Sequence, residues 1–70
     1  MHLIELIEAL KKRRDVLDVT QEHLADLSGV GLRTLKALES GKSNPTFETL
    51  SKLAEVLGME LKLEVRKPII

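Results

Sequence analysis

Seventy residues allow one small domain, and with no cysteine neither a disulfide nor a thiolate metal site can reinforce it. Eleven basic and eleven acidic residues cancel, so no bulk positive charge marks a polyanion partner, and a single aromatic, Phe47, excludes the stacking platforms used for single strands or RNA. No apolar run approaches the ~18 residues of a membrane span, no signal peptide opens the chain, and a cysteine-free composition fits a reducing, cytoplasmic location.

The first predicted helix covers residues 3–14, because Leu3, Leu6, Ile7 and Leu10 recur at helical spacing with Ile4 beside them. Residues 15–19 read as a connector that Val16, Leu17 and Val19 pin to the core. Thr20 is a good N-cap for a second helix, since its hydroxyl can accept from a free first-turn amide. Glu22 then lies favourably near the positive helix end, while His23 leaves the capping box incomplete. Gly29 reads as the left-handed residue that closes this helix.

The third helix is predicted over residues 32–40, capped by Gly31 and ended by Gly41. Lys42, Ser43, Asn44 and Pro45 are turn chemistry. Thr46 caps a fourth helix, with Pro45 and Leu50 as a small hydrophobic staple. Phe47, Leu50, Ala54 and Leu57 form its apolar stripe, Leu53 and Val56 widen it, and Gly58 ends it. The period then changes to two. Met59, Leu61, Leu63 and Val65 alternate with Glu60, Lys62, Glu64 and Arg66 until Pro68, the pattern of a strand over 59–66.

That strand has no second strand to pair with, and an unpaired ladder leaves its amides and carbonyls unsatisfied. The economical solution is a homodimer whose two copies pair 59–66 across a two-fold axis, with Leu53, Val56, Met59, Leu61, Leu63 and Val65 in the interface. The alternatives are a frayed tail, a continuation of the fourth helix, or a strand lent to the sheet of another protein. The expected architecture is therefore all-α, a four-helix bundle over 3–58 with one C-terminal dimerisation strand, forming a single domain over 1–70.

The informative stretch is residues 20–41, TQEHLADLSGVGLRTLKALESG. Two short helices joined by a tight, glycine-marked link read as helix-turn-helix. In that shape the second helix stands clear of the body and fits the major groove of DNA. Charge supports this locally. Lys11, Lys12, Arg13 and Arg14 cluster, Arg33, Lys36 and Lys42 lie on or just after the third helix, and acidic residues concentrate at Glu5, Glu8, Glu48, Glu55, Glu60 and Glu64. Arg33 has the fork that suits N7 and O6 of guanine. Leu32 suits either a thymine methyl or a contact with a dimer mate or partner.

Gln21, Leu24, Ala25, Gly29, Val30, Leu35, Glu39, Gly41, Pro45, Leu50 and Ala54 resemble the pattern of the XRE family, which includes Cro and the lambdoid phage repressors. The strand after the fourth helix resembles HipB-like antitoxins, the DNA-binding partners of HipA-type kinase toxins. The resemblance implies a lambda-repressor-like fold and roles for particular residues. Gln21 anchors a phosphate at the start of the second helix, with Thr20, Ser40 and Lys42 at other backbone-contact positions. Gly31, Leu32, Arg33 and Ala37 face bases, with Thr34 and Lys36 beside them. Arg14 and Glu39 form a structural ion pair. The chain departs from the family where Gly31 replaces a hydroxyl and Leu32 replaces a polar reader.

No nucleophile, base and orienting acid stand at a convincing spacing, so no enzyme activity is expected. His2 and His23 are too far apart, and too few, to hold a metal, and no cofactor is implied. The expected function is sequence-specific binding of double-stranded DNA as a dimeric transcriptional regulator, a repressor acting on an inverted repeat. The alternative is an antitoxin that neutralises a HipA-like toxin and autoregulates its operon.

Overall fold

A core made mostly of leucine holds four helices together in the computed structural model, which describes residues 2–70; Met1, the first residue of the expected 1–70 domain, lies outside them. The helices are α1 (Leu3–Val16), α2 (Gln21–Ser28), α3 (Leu32–Glu39) and α4 (Phe47–Val56). The bundle is centred on α2, which packs against both α3 and α4, while α1 packs against α3. Leu24, Leu35, Leu38, Leu53 and Leu57 are fully enclosed, and Ile7 and Leu10 bring α1 onto them.

Helix α1 runs two residues beyond its expected end. It stops in a Schellman arrangement, in which the Val19 amide donates to the Arg14 carbonyl and the Asp18 amide to the Asp15 carbonyl, both at 3.0 Å. Asp18 occupies the left-handed position, at φ +57°, where a short polar side chain is tolerated better than most. The extra helical residues change what the connector can bury. At 100° per residue Val16 lies half a turn from Ile7, on the outer side of α1. Val16 and Leu17 are accordingly exposed, and only Val19 of the expected three packs on the core.

The turns are made as the local chemistry dictates. The Thr20 hydroxyl accepts from the His23 amide at 3.1 Å, and the Thr46 hydroxyl accepts from the Thr49 amide at 3.1 Å. Gly29 closes α2 at φ +77°, donating to the Ala25 carbonyl at 3.0 Å. The Ser28 hydroxyl then accepts from the Val30 amide at 3.2 Å, which holds the short link before α3. Gly31 starts α3 without any side-chain cap.

Two expectations, Phe47 in the apolar stripe and Leu53 in the dimer interface, need correction, and a third, the strand over 59–66, is not formed within the single chain. Phe47 is 69% exposed rather than part of the apolar stripe. It lies on the correct side of α4 but in its first turn, beyond the edge of the core, so the buried stripe begins at Leu50. Residues 59–66 form no strand, and no strand is present among the described residues. The physical reason is that no second segment offers amides and carbonyls in register. Met59 and Leu61 pack on the core, whereas Leu63 and Val65 are bare. Leu53, expected in the dimer interface, is fully buried in the subunit's own core and has no surface to offer a second copy; Val56 is half-buried on the rim of that core.

Leu53→Ala should therefore lower the unfolding free energy by about 2–5 kcal/mol at every protein concentration, read by urea titration. A loss that disappears on dilution would place Leu53 in an intersubunit contact instead.

Candidate nucleic-acid interface

Glu39, at the end of α3, is the one buried charged residue among the described residues, with a side chain only 5% exposed. A carboxylate in that position requires donors. Arg14 from α1 meets it as a fork, with Nε donating to Oε2 at 2.8 Å and Nη2 to Oε1 at 2.9 Å. Gln21, the first residue of α2, donates from Nε2 to Oε1 at 3.0 Å. Because an ionised carboxylate only accepts, the amide nitrogen of Gln21 must face Glu39. The remaining Arg14 nitrogen, Nη1, donates to the Val19 carbonyl at 2.8 Å and so holds the connector. Asp15 adds a longer contact with Arg14 at 3.5 Å.

Hydrogen bonding to Glu39 raises the Arg14 pKa above its ordinary value, and the charges of Glu39, Asp15 and Glu22 act in the same direction against the cost of burial. The sign matters for stability. A raised guanidinium pKa contributes stability that is complete below the unfolded value and is lost only as pH rises through the folded one. From the arginine side, the cluster is therefore insensitive to pH throughout the working range.

The cluster places Gln21 beside the outer face of α3. Leu35, Leu38 and Glu39 point inward, and Leu32 packs partly against the core. The opposite face carries Arg33, Lys36, Ala37 and Ser40 at i, i+3, i+4 and i+7, the spacing of one helical stripe. Arg33, Lys36 and Ser40 are exposed, Ala37 is partly so, and Thr34 is exposed at the edge of the stripe. The Ser40 hydroxyl donates to the Ala37 carbonyl at 3.0 Å. Thr20 and Lys42 are exposed at the two ends of the helix-turn-helix.

Two shallow depressions of opposite character flank this stripe. One is lined by Lys11, Arg14, Gln21, Lys36, Glu39 and Ser40. With Arg14 and Glu39 satisfying each other, Lys11 and Lys36 leave it basic. It also adjoins the start of α2, where the amides of Gln21 and Glu22 have no intrahelical acceptor. The other lies beside Glu22, Asp26, Gly29, Val30, Gly31 and Leu32, and its carboxylates make it acidic. Phosphate is favoured in the first and opposed in the second.

The run of four basic residues in α1 is divided by the fold. Arg14 is consumed by Glu39. Arg13 Nε donates to the Leu57 carbonyl at 3.0 Å, a cation at the negative end of α4. Lys12 stays on the surface. Lys11 and Arg14 both line the basic depression, but with Arg14 engaged by Glu39, Lys11 is the one of the four that leaves it basic, a role its sequence neighbourhood could not single out. Leu32 packs partly against its own subunit's core, which neither of its two expected roles included. No group of three or more potential metal-ligating side chains occurs among the described residues, and no helix there is long and apolar enough to cross a membrane.

Residues 10–63 match the model of the helix-turn-helix family. An HTH-type transcriptional regulator of Haemophilus influenzae is 38% identical over 60 residues, covering 86% of this chain and 61% of that protein. The cryptic phage CTXphi transcriptional repressor RstR of Vibrio cholerae is 34% identical over 58 residues, covering 83% of this chain and 52% of the repressor. An HTH-type transcriptional regulator of Methanothermobacter thermautotrophicus is 37% identical over 51 residues, covering 73% and 74% of the two chains. The chain belongs to the XRE-like helix-turn-helix family. It spans between half and two thirds of the length of the first two relatives.

Arg14→Ala and Glu39→Ala should each cost about 3–5 kcal/mol of unfolding free energy, because each strands a buried partner. The double variant should cost well under the sum, as expected for groups in direct contact. Additive losses in a chemical-denaturation cycle would show that the two side chains act independently.

Proposed function

We propose that the chain is a sequence-specific, double-stranded DNA-binding transcriptional regulator that acts as a repressor. The observation that carries this reading is the outward stripe of α3 beside a basic depression at the start of α2, on a chain with no net charge. Membership of the helix-turn-helix family and the relatives named as regulators and repressors support it.

In this mechanism α3 enters the major groove. Arg33 reads guanine through its fork, and Thr34 and Lys36 reach neighbouring base edges. Ala37 and Gly31 are small enough to let the helix approach closely. Leu32 keeps a partial surface for a thymine methyl while it anchors the helix start. A phosphate sits over Gln21, held by the second N–H of its side-chain amide and by the free first-turn amides of α2. Lys11, Thr20, Ser40 and Lys42 hold the backbone on either side. These contacts set the register, and the base contacts set the sequence.

A single such domain covers a short site, so the functional unit is a homodimer that reads an inverted repeat with half-sites ~34–36 Å apart. Its copies pair through residues 59–66, where the single chain exposes Leu63 and Val65. A second reading makes the chain an antitoxin bound to a HipA-like toxin. It is favoured by Ile69 and Ile70, which are fully exposed beyond Pro68 and so lie outside any strand pairing. It leaves the DNA mechanism unchanged. Co-expression with a HipA-like kinase tests it, since a stable complex lost on deletion of residues 69–70 supports it and full kinase activity in the presence of the chain rejects it.

Selection of bound fragments from a random duplex pool should return an inverted repeat. On that site Arg33→Ala should lose ~1–3 kcal/mol of binding free energy and relax discrimination at one position per half-site. Lys36→Ala, Lys11→Ala and Gln21→Ala should weaken binding. Lys11→Ala should also flatten the salt dependence, which for roughly six phosphate contacts amounts to about 10³ in affinity between 50 and 200 mM salt. Mobility-shift titrations over salt measure all of these. Binding that ignores salt, or an Arg33→Ala variant indistinguishable from the parent, refutes the assignment.

A further inference from the structure

We infer that two copies of this chain pair residues 59–66 antiparallel in one register only, with the two-fold axis passing through Leu63. The inference rests on the dimer reading above and adds what that reading leaves open, the partner of every residue. In antiparallel pairing about a two-fold axis, positions equidistant from the axis face each other on the same side of the ladder. With the axis at Leu63, Glu60 faces the partner's Arg66 and Lys62 faces the partner's Glu64. Symmetry repeats both pairs, so every charge from Glu60 to Arg66 meets its opposite. Within one chain Lys62 and Glu64 already lie on a common side, 3.7 Å apart, and both are exposed.

Other registers fail on the same residues. An axis at Lys62 sets Lys62 against itself and Glu60 against Glu64. An axis at Glu64 sets Glu64 against itself and Lys62 against Arg66. Like charges directly opposite are destabilising. An axis between two residues places apolar side chains opposite charged ones and turns one apolar face to water. An axis at Leu61 or Val65 runs the ladder into Gly58, which is left-handed at φ +70°, or into Pro68, which lacks an amide proton.

The apolar side of the same register completes an open part of the core. Leu6, Phe47, Leu50, Leu61 and Leu63, together with Glu60 and Lys62, line a largely apolar groove at the edge of the bundle. Phe47 is 69% exposed there, and Leu63 and Val65 extend beyond it with 96% and 103% exposure. With the axis at Leu63, the partner's Val65 faces Leu61 and so arrives at this groove. Each subunit's overhang thus covers the other's uncovered rim, and Leu63 packs on its own symmetry mate. Charge complementarity on one side and the bare apolar run on the other point to the same occupant, a second copy.

The chain has no cysteine, so single-cysteine variants report the register directly. At the axis, Leu63→Cys brings two Cα atoms to about 4.5–5.5 Å, within reach of a disulfide. Two copies of Leu61→Cys, or of Val65→Cys, lie about 14 Å apart and are out of reach. All three positions lie outside the buried core. The full chain carrying Leu63→Cys should oxidise to a covalent dimer at least ~tenfold faster than either of the others. A mixture of Leu61→Cys and Val65→Cys chains should cross-link to each other. Sedimentation of the parent chain, run alongside, separates the two ways of failing. A dimer that cross-links fastest at another position, or at none, overturns the register and leaves the dimer. A parent chain that stays monomeric at high micromolar concentration removes the dimer and the register with it.

Discussion

The geometry of the helix-turn-helix face depends on one buried carboxylate. Glu39 is enclosed where α1, α2 and α3 meet, and it cannot remain charged there without donors from the other two helices. Arg14 supplies a two-pronged contact from α1, and Gln21 supplies a third hydrogen bond from α2. The resulting arrangement tolerates little sliding of one helix against another. An apolar contact at this place would hold the helices about as well but would leave their relative setting looser, because dispersion has no preferred direction. The setting of Gln21 and of α3, to which we assign the phosphate and base contacts, is thereby fixed by the same three residues.

Electrostatics show how a chain with zero net charge can gather basic side chains on one face. Sorting by the fold does what composition does not. Arg13 and Arg14, half of the densest basic run, are withdrawn to cap α4 and to satisfy Glu39. Lys11 and Lys36, far apart in sequence, meet beside the free amides of α2. The carboxylates of Glu22 and Asp26 line the second depression. Field at this range is set by which charges share a face, and screening by salt suppresses the more distant acidic residues.

The same economy applies to stability. A domain of this size buries a modest share of its surface, and here one edge of the core ends at an exposed phenylalanine and a run of bare aliphatic residues. Self-association would therefore serve two ends. In the proposed dimer it would cover the unfinished rim and double α3 on a common axis.

Much of the fold was legible in residues 2–70 because its signals are local. Thr20, Gly29, Gly41, Thr46 and Gly58 mark helix ends through contacts within a few residues, and those ends follow from backbone chemistry that any context shares. The inward stripe of Leu35 and Leu38, and hence the outward stripe of Arg33, Lys36, Ala37 and Ser40, follows from helical period alone. Residues whose role depends on distance were not legible. Phe47 lies on the apolar side of its helix, yet the core ends before it. Val16 turns outward because α1 continues for two more residues. Leu53 belongs to the subunit's own interior, and 59–66 cannot become a strand in a chain that offers no second one. Local sequence by itself determined which side of each helix is apolar and where α2, α3 and α4 stop, since both depend on neighbours within one or two turns. Only the tertiary structure decided which apolar residues find cover and which basic residues remain free, because burial and ion pairing depend on what other helices bring within a few ångströms.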